Sequence, residues 1–172
     1  DKIVHDFSVI EHDPAVTMVI ETMGGLKPAY AFVKASLEAG KHVATSNKAL
    51  VAAYGTELLK IAKEHHVNFL FEASVGGGIP VIRPLYTSLA GEVIEEITGI
   101  LNGTTNYILT KMDKQGDTFE NALKEAQDLG YAERNPEADV EGHDTCRKIA
   151  ILTAMAAGHQ VNYEHIYTEG LS

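Results

Sequence analysis

Three short apolar runs alternate with two amphipathic stretches in the first half of the chain, and this alternation constrains the fold most. The pattern predicts strands at about residues 16–22, 42–45 and 67–71, with helices at about 28–39 and 52–65. Gly40 is the expected C-cap of the first helix. Strand and helix alternating through short links predict a parallel sheet with right-handed crossovers. Ligands of such sheets lie beyond the carboxyl ends of the strands, so the loops at 21–25, 45–48 and 72–78 are the places to look for a site.

The second half of the chain has a different pattern. It predicts a helix starting near Ile79 and Pro80, a strand over residues 92–101, and a loop over 130–137. Further helices are expected at about 104–112, 118–129 and 140–157, the last ending at Gly158. We therefore expect two domains, residues 1–78 and residues 79–172. The predicted fold class is α/β, with a partial Rossmann-like parallel sheet followed by a mixed α/β catalytic and dimerisation domain.

The charge balance limits the partners. The chain has 14 Lys and Arg against 24 Asp and Glu, a formal net charge of -10. Nucleic acids and anionic membrane surfaces both need clustered positive charge, so neither is an expected partner. No apolar run approaches the roughly 20 residues of a membrane-spanning helix. A single cysteine, Cys146, gives no disulfide framework and favours the cytoplasm. The first residues, DKIVH, are neither a signal peptide nor a natural initiation site, which suggests a piece of a longer protein.

Lys48 is the first candidate for chemistry. It follows a predicted strand and precedes a predicted helix, in the segment TSNK at residues 45–48. The partial positive charge of a helix N-terminus disfavours the ammonium form, so a lysine here is suited to proton transfer or ligand binding. The structural alternative is a surface lysine, with Ser46 or Asn47 as the helix N-cap.

The glycine-rich loop that follows the third predicted strand is the second candidate. Residues 72–80 read EASVGGGIP. Main-chain amides here could bind a phosphate, although the spacing matches neither G-x-G-x-x-G nor G-x-x-x-x-G-K-[ST]. Carbonyl oxygens together with the Glu72 carboxylate could instead surround a hard cation. The structural alternative is a tight turn between two layers.

The third candidate is residues 130–148, GYAERNPEADVEGHDTCRK. Asp144 and Lys148 are four residues apart, so on a helix they share one face. An exposed ion pair at this spacing contributes only about 0.3–0.5 kcal/mol. The apolar residues around them have core-like spacing, however, so the pair is expected at the border of the buried face. Asp139 has a structural alternative as an N-cap. The eight histidines form no metal-ligand pattern.

Taken together, these segments resemble the homoserine dehydrogenase family. The resemblance runs through nearly the whole chain in the order of the family and is carried by residues 21–25 (ETMGG), 45–48, 72–80, 99–107 (GILNGTTNY) and 130–148. The last segment is the most specific, because its acids, glycines and final lysine all fall in register.

The resemblance implies an enzyme that interconverts L-homoserine and L-aspartate 4-semialdehyde with NAD or NADP. It implies that Lys148 and Lys48 are catalytic, Lys148 as the general acid. A homodimer and a bound monovalent cation, Na⁺ or K⁺, are also implied. The residues implied to bind substrate are Glu133, Asp144, Asp139, Tyr131 and Thr104. Those implied to contact the cofactor are Met23, Gly24, Lys48 and Gly130, and those implied to hold the cation are Glu72 and the carbonyls of Val75, Gly77 and Ile79.

The chain departs from the family pattern at one important place. The glycine loop G-x-G-x-x-G and the residue after it that selects NAD or NADP are not in this sequence, so cofactor preference is unreadable. We expect little or no turnover from the 172-residue chain alone. Two other hypotheses remain: a different dehydrogenase of small amino-acid semialdehydes, which in its acylating form needs a nucleophilic cysteine, or a non-catalytic module with the same fold.

Overall fold

The first half of the chain forms a parallel sheet with helices between its strands. The structure is a computed structural model, and it describes residues 3–171. Its first elements are α1 (Phe7–His12), β1 (Met18–Glu21), α2 (Ala29–Glu38), β2 (His42–Thr45), α3 (Lys48–Glu64) and β3 (Phe69–Leu70). The strands lie in the order β1-β2-β3 and every pairing is parallel. The prediction of a parallel α/β sheet is confirmed.

The register of the sheet separates a buried face from an exposed one. Val19 pairs with Val43, and Val43 pairs with Phe69. Val43 and Phe69 belong to the main core, with fully buried side chains of α2 and α3 such as Val33, Leu37, Leu50 and Leu58. On the opposite face, the side chains of Ile20 and Leu70 are 67% and 46% exposed. The core of this chain therefore lies on one side of the sheet.

The second half is helical apart from its loops. A short 3₁₀ turn (Glu72–Ser74) and a π-helical turn (Pro84–Ser88) come first. They are followed by α4 (Gly103–Gln115), α5 (Phe119–Asp128), α6 (Glu137–Val140), α7 (His143–Ala157) and a 3₁₀ turn (Tyr163–His165). Ile151 and Leu152 of α7 enter the same core as α3. Within residues 3–171, no helix is long and apolar enough to cross a membrane.

The predicted strand over residues 92–101 is wrong for this chain, because these residues form no regular element. A strand is stabilised by hydrogen bonds to a neighbouring strand, and no described strand pairs with this segment. Its apolar side chains Val93 and Ile100 are 87% and 76% exposed. Alternating apolar residues indicate which side chains of a strand would share a face, but they do not specify the strand with which it would pair.

Several helices also differ from the prediction. α3 begins at Lys48 rather than near residue 52, because the Asn47 side chain caps it by accepting a hydrogen bond from the Leu50 amide at 3.1 Å. The helix expected over residues 140–157 is divided at Gly142, which has φ +77°. A Cβ at this position would lie 2.9 Å from Cγ2 of Thr168. The helix expected near Ile79 is replaced by the π-helical turn, and α1 was not predicted at all.

Candidate functional site

Asp144 is the centre of the candidate site. It lies in the first turn of α7, and its side chain is only 7% exposed. One carboxylate oxygen, Oδ1, accepts a hydrogen bond from Lys48 Nζ at 2.5 Å, and the other, Oδ2, accepts one from Lys148 Nζ at 2.8 Å. Burial by itself raises the pKa of the Asp144 carboxyl. The hydrogen bonds from Lys148, Lys48 and Asn102 lower it by more, so its pKa lies below the ordinary value and the group is ionised at neutral pH.

Lys148 is held at two points. Besides the contact with Asp144, its ammonium donates to the main-chain carbonyl of Leu101 at 2.7 Å. Its side chain is 13% exposed, whereas that of Lys48 is 40% exposed. Two of the three N–H bonds of Lys148 are therefore directed by the protein, and one is left for another acceptor. The predicted pairing of Asp144 with Lys148 on one helical face is confirmed.

Asp139 and Thr104 extend the same cluster. Asp139 lies on α6 and accepts a hydrogen bond from the Asn102 side chain at 2.7 Å. The Thr104 hydroxyl lies 3.0 Å from the other carboxylate oxygen of Asp139 and 2.8 Å from the carbonyl oxygen of Tyr131. Asp139 does not act as an N-cap, because its carboxylate is turned to these partners. The hydrogen bonds connect Asp139, Thr104 and Tyr131 to Asp144 through Asn102.

Glu133 and Gly130 lie on the loop between α5 and α6. The Glu133 side chain is exposed, and it makes no hydrogen bond or ion pair to any residue of the 3–171 range. Its carbonyl accepts a hydrogen bond from Gln127 at 3.0 Å. Gly130 has φ +77° and precedes Tyr131, whose ring packs on Tyr107 with centroids 5.1 Å apart. The structure thus does not join Glu133 to the two lysines.

Asn102 and Glu21 are polar residues of this region that sequence reasoning missed. Asn102 is 7% exposed and contacts both Asp139 and Asp144. Glu21 is 3% exposed and stands at the end of β1. A signal for Glu21 was present in the sequence, because residues two apart in a strand point to the same face and Glu21 therefore lies on the same face as Val19. Asn102 has the ordinary appearance of an N-cap, which it also is for α4.

Glu21 organises the loop that carries Met23 and Gly24. One of its oxygens accepts hydrogen bonds from the main-chain amides of Met23 at 2.6 Å and Gly24 at 3.1 Å. Its other oxygen accepts one from the Thr45 hydroxyl at 2.5 Å. The side chain of Asn47 donates to the Gly25 carbonyl at 2.6 Å, which ties the same loop to the start of α3. The loops after β1 and β2 therefore form one unit at the carboxyl end of the sheet, directly before Lys48.

The glycine-rich loop after β3 is anchored by Glu72. Its Oε1 accepts hydrogen bonds from the amides of Val81 at 2.6 Å and Ile82 at 2.8 Å, and its Oε2 accepts one from Arg83 at 2.8 Å. Burial raises the pKa of the Glu72 carboxyl, but the three main-chain hydrogen bonds lower it further, so the net shift is downward.

The loop itself turns sharply between Gly76 and Ile79. A Cβ on Gly76 would lie 2.3 Å from the carbonyl oxygen of Ile79, so only glycine fits there. Gly77 has φ +60°, Val75 is buried, and Ile79 is 69% exposed. Oε1 of Glu72 accepts two hydrogen bonds and Oε2 accepts one, so Oε2 is the oxygen with room for another partner. The charge of Arg83 also contributes to the lowered pKa of the Glu72 carboxyl.

Cys146 is two residues from Lys148, but its thiol does not face the cluster. The residue is 8% exposed, and Sγ donates to the Tyr163 carbonyl at 3.3 Å. A buried thiol that donates to a carbonyl is not a nucleophile poised for acylation.

The fold and the cluster define a class. A Rossmann-like parallel sheet with polar loops at its carboxyl edge, next to lysines held by a buried carboxylate, is typical of α/β enzymes that bind a ligand beyond the ends of their strands. The family model described as "Homoserine dehydrogenase" matches residues 80–172, and the model described as "Homoserine dehydrogenase, NAD binding domain" matches residues 1–72. The chain belongs to the homoserine dehydrogenase family.

Individual relatives agree with this assignment. Homoserine dehydrogenases of Synechocystis sp. and Bacillus subtilis are each 48% identical over 166 residues, which is 96% of this chain. The crystal structure of a homoserine dehydrogenase from Thiobacillus denitrificans superposes with a TM-score of 0.91 at 45% identity, covering 98% of this chain and 39% of that one. A hyperthermophilic archaeal homoserine dehydrogenase in complex with NADPH gives 0.85 at 32% identity, covering 93% and 50%. The chain spans 38% of the length of the two curated relatives.

Proposed function

We propose that the full-length protein containing this chain is a homoserine dehydrogenase, which transfers hydride reversibly between L-homoserine and L-aspartate 4-semialdehyde with NAD or NADP. The observation that carries this proposal is the contact of Lys48 and Lys148 with one buried carboxylate, Asp144. It supplies a positioned ammonium in a partly desolvated site, which is what reduction of an aldehyde to an alcohol requires.

Lys148 is the proposed general acid. When the aldehyde carbon accepts hydride, its oxygen becomes an alkoxide that needs a proton. The N–H of Lys148 that neither Asp144 nor the Leu101 carbonyl engages is the one available to give it. In the reverse direction, neutral Lys148 takes the proton of the homoserine hydroxyl. The positive charge of Lys48, held by the same carboxylate, stabilises the developing negative charge.

The proposed substrate-binding residues are four members of the Asp144 cluster and Glu133, which lies outside the cluster, two residues after Tyr131 along the chain. Glu133 is exposed, so its carboxylate is available for the substrate ammonium. Asp144 and Asp139 are engaged by protein donors and act on the substrate through the charge of the site. Thr104 and Tyr131 border the same site, because the Thr104 hydroxyl lies 3.0 Å from Asp139 and 2.8 Å from the Tyr131 carbonyl.

The dinucleotide is proposed to lie at the carboxyl end of the sheet, against Met23, Gly24, Lys48 and Gly130. The residues present fit this group: the Met23 side chain is 52% exposed, and there is open space around Gly24. When bound, the dinucleotide supplies or accepts the hydride. Its nicotinamide ring would be expected beside Lys48, because that residue begins the helix after β2.

A monovalent cation, Na⁺ or K⁺, is proposed at the glycine-rich loop. Glu72 Oε2 and the carbonyls of Val75, Gly77 and Ile79 form an all-oxygen donor set, which suits a hard cation. Replacing sodium and potassium salts by choline chloride should lower activity or thermal stability of the full-length protein. Equal activity and melting temperature in all three salts would return this loop to the role of a tight turn.

A homodimer in the cytoplasm completes the proposal. The segment that carries the exposed side chains of Val93 and Ile100 is the expected contact surface, because exposed apolar patches on a protein often mark an interface with a partner chain. Light scattering of the full-length protein should give twice the monomer mass. A monomer at micromolar concentration would contradict the dimer.

The decisive experiment is steady-state oxidation of homoserine by the full-length protein, followed by the absorbance of reduced nicotinamide. Lys148→Ala should lower kcat by about 10²–10⁴-fold, the usual contribution of a general acid. Lys124→Ala, a change of an exposed lysine on α5, is the matched control and should leave kcat unchanged. If Lys148→Ala retains kcat within about twofold of the control, Lys148 is not the general acid.

A further inference from the structure

Asn102 donates to two carboxylates with a single amide group. Its Nδ2 lies 2.7 Å from Asp139 Oδ1 and 3.1 Å from Asp144 Oδ2, and the residue is only 7% exposed. An amide nitrogen carries two hydrogens, so it can serve both acids at once. Its oxygen is used as well, accepting from the amide and the hydroxyl of Thr105 at 2.9 and 3.0 Å. All polar atoms of this side chain therefore have defined partners, and the amide cannot be flipped without placing its oxygen against two carboxylates.

The Asn102 amide bridges Asp139 and Asp144. Two carboxylates that share one donor group repel each other, and the donor offsets this repulsion at each of them. Asp144 is also paired with two lysines, whereas Asp139 has among its described side-chain partners only Asn102 and the Thr104 hydroxyl. Among the described residues, Asn102 is therefore the side chain that holds both carboxylates in place.

The main chain beside Asn102 also holds Lys148. Leu101, the preceding residue, supplies the carbonyl that accepts from Lys148 Nζ at 2.7 Å. Asn102 is the N-cap of α4, so its backbone is fixed by that helix. The Asp144 oxygen that contacts Lys148 is the same Oδ2 that accepts from Asn102. One dipeptide therefore sets both contacts of the Lys148 ammonium.

We infer that Asn102 is a positioning residue for the proton-transfer lysine: its amide holds the carboxylates of Asp139 and Asp144 together and directs Asp144 toward Lys148. This inference rests on the proposed function, and it adds to it a residue that contacts neither substrate nor cofactor. The charged groups around Lys148 are Asp144 on its own helix, Lys48 on α3 through that carboxylate, and Asp139 on α6.

The test uses two substitutions in the full-length protein that preserve the helix cap. Asn102→Ser keeps an oxygen for the cap of α4 but cannot reach the carboxylates. Asn102→Asp keeps size and cap, but replaces the donor by a third acid. The matched control is Asn162→Ser, which changes an exposed asparagine that caps the 3₁₀ turn at Tyr163–His165. The control should keep the wild-type kcat and pH profile.

Asn102→Ser should lower kcat about 10- to 100-fold, because the Lys148 ammonium is no longer held in position for proton transfer. KM for the dinucleotide should stay within about twofold of wild type. For Asn102→Asp, the ratio of its kcat to that of wild type should rise as pH falls, because one protonated carboxyl then donates to another as the amide did. A residue that merely caps α4 would give neither effect. Wild-type kcat and pH profile in Asn102→Ser would overturn the inference.

A second measurement separates this inference from the proposed function. Crystal structures of the full-length wild type and Asn102→Ser should show that the Lys148 Nζ–Asp144 contact of 2.8 Å is lost or moved in the variant. If wild type does not oxidise homoserine, the proposed function fails and the crystal structures alone decide the role of Asn102. Unchanged positions of Asp139, Asp144 and Lys148 would then refute it.

Discussion

Substitution of Asp144 by asparagine tests the arrangement of the site directly, because the change removes a charge and preserves shape. The carboxylate is 7% exposed and Lys148 is 13% exposed, so their ion pair is largely withdrawn from water. Asparagine can present its oxygen to only one lysine, and its NH₂ group then faces the other. Removing one partner of a buried pair costs about 3–5 kcal/mol. Lys48 is 40% exposed and adds little to this. Since asparagine retains one acceptor, we expect a loss of about 2–4 kcal/mol.

The assay is urea denaturation of the full-length protein, followed by circular dichroism, in a double-mutant cycle with Lys148→Met. The coupling free energy between the two positions should exceed about 2 kcal/mol. The matched control is the pair of Lys60 and Glu64, which has the same i,i+4 spacing but side chains 77% and 58% exposed at 3.9 Å. Its coupling should be about 0.5 kcal/mol or less. If the coupling of Asp144 with Lys148 is no larger, the pair is not buried in solution and our reasoning fails.

The pH dependence of this loss has a definite sign. The folded-state pKa of Asp144 lies below its ordinary value of 3.8, because hydrogen bonds from Lys148, Lys48 and Asn102 outweigh the effect of burial. An acid with a depressed pKa stabilises the fold above its unfolded pKa, and this contribution is lost as pH falls through the folded pKa. The difference between wild type and Asp144→Asn should therefore be constant from about pH 5 to about pH 8 and shrink below about pH 4. A difference that grows on acidification would contradict the assigned direction.

Two further substitutions test the loops. Gly76→Ala forces a Cβ to within 2.3 Å of the Ile79 carbonyl oxygen, so it should lower the free energy of unfolding by about 1–3 kcal/mol in denaturation. It should also abolish any response to sodium or potassium. The control Gly78→Ala, with open space at its Cβ, should lower the free energy of unfolding by less than about 0.5 kcal/mol. Glu21→Gln removes a charged acceptor from the loop that holds Met23 and should raise KM for the dinucleotide about 3- to 10-fold with little change in kcat, as measured by steady-state kinetics. An unchanged KM would mean that the loop keeps its conformation without the Glu21 charge.

The strand–helix alternation of the first half could be predicted because the signals are local. β1, β2 and β3 carry β-branched or aromatic residues in short runs, and the helices between them have apolar periodicity. The segment 92–101 carries the same kind of signal, yet it is irregular in the chain. Whether an apolar run becomes a strand depends on a partner strand, which periodicity does not specify. The position of Gly142 shows a related limit, since a helix pattern continued through it although its left-handed φ divides α6 from α7.

The site could be predicted in part, and for different reasons at different residues. The pairing of Asp144 with Lys148 follows from spacing on one helix. The contact of Lys48 with Asp144 does not, because it joins residues 96 positions apart. The two lysines could be proposed as functional residues only through the resemblance to the family. Asn102 was missed because an N-cap asparagine has a sufficient local explanation, and its second role appears only when α6 and α7 are in place.

The packing of α3 against α7 determines whether the cluster forms. Lys48 is the first residue of α3 and Asp144 is the second of α7, so the two helix starts must lie side by side for the contact to exist. The loop after α7 grips α3 one turn further on, where Gln160 donates to the Ala52 carbonyl at 2.7 Å and accepts from the Thr56 amide at 3.4 Å. Ala52 and Thr56 are four residues apart, so the Gln160 side chain contacts a carbonyl and an amide of the same turn of α3. These contacts fix the position of α3 along α7. Sliding α3 by one residue along its axis would move Lys48 by about 1.5 Å. A shift of that size would break the hydrogen bond between Lys48 and Asp144. The position of Lys48 relative to Asp144 is therefore set by the packing of α3 against α7 and by the Gln160 contacts.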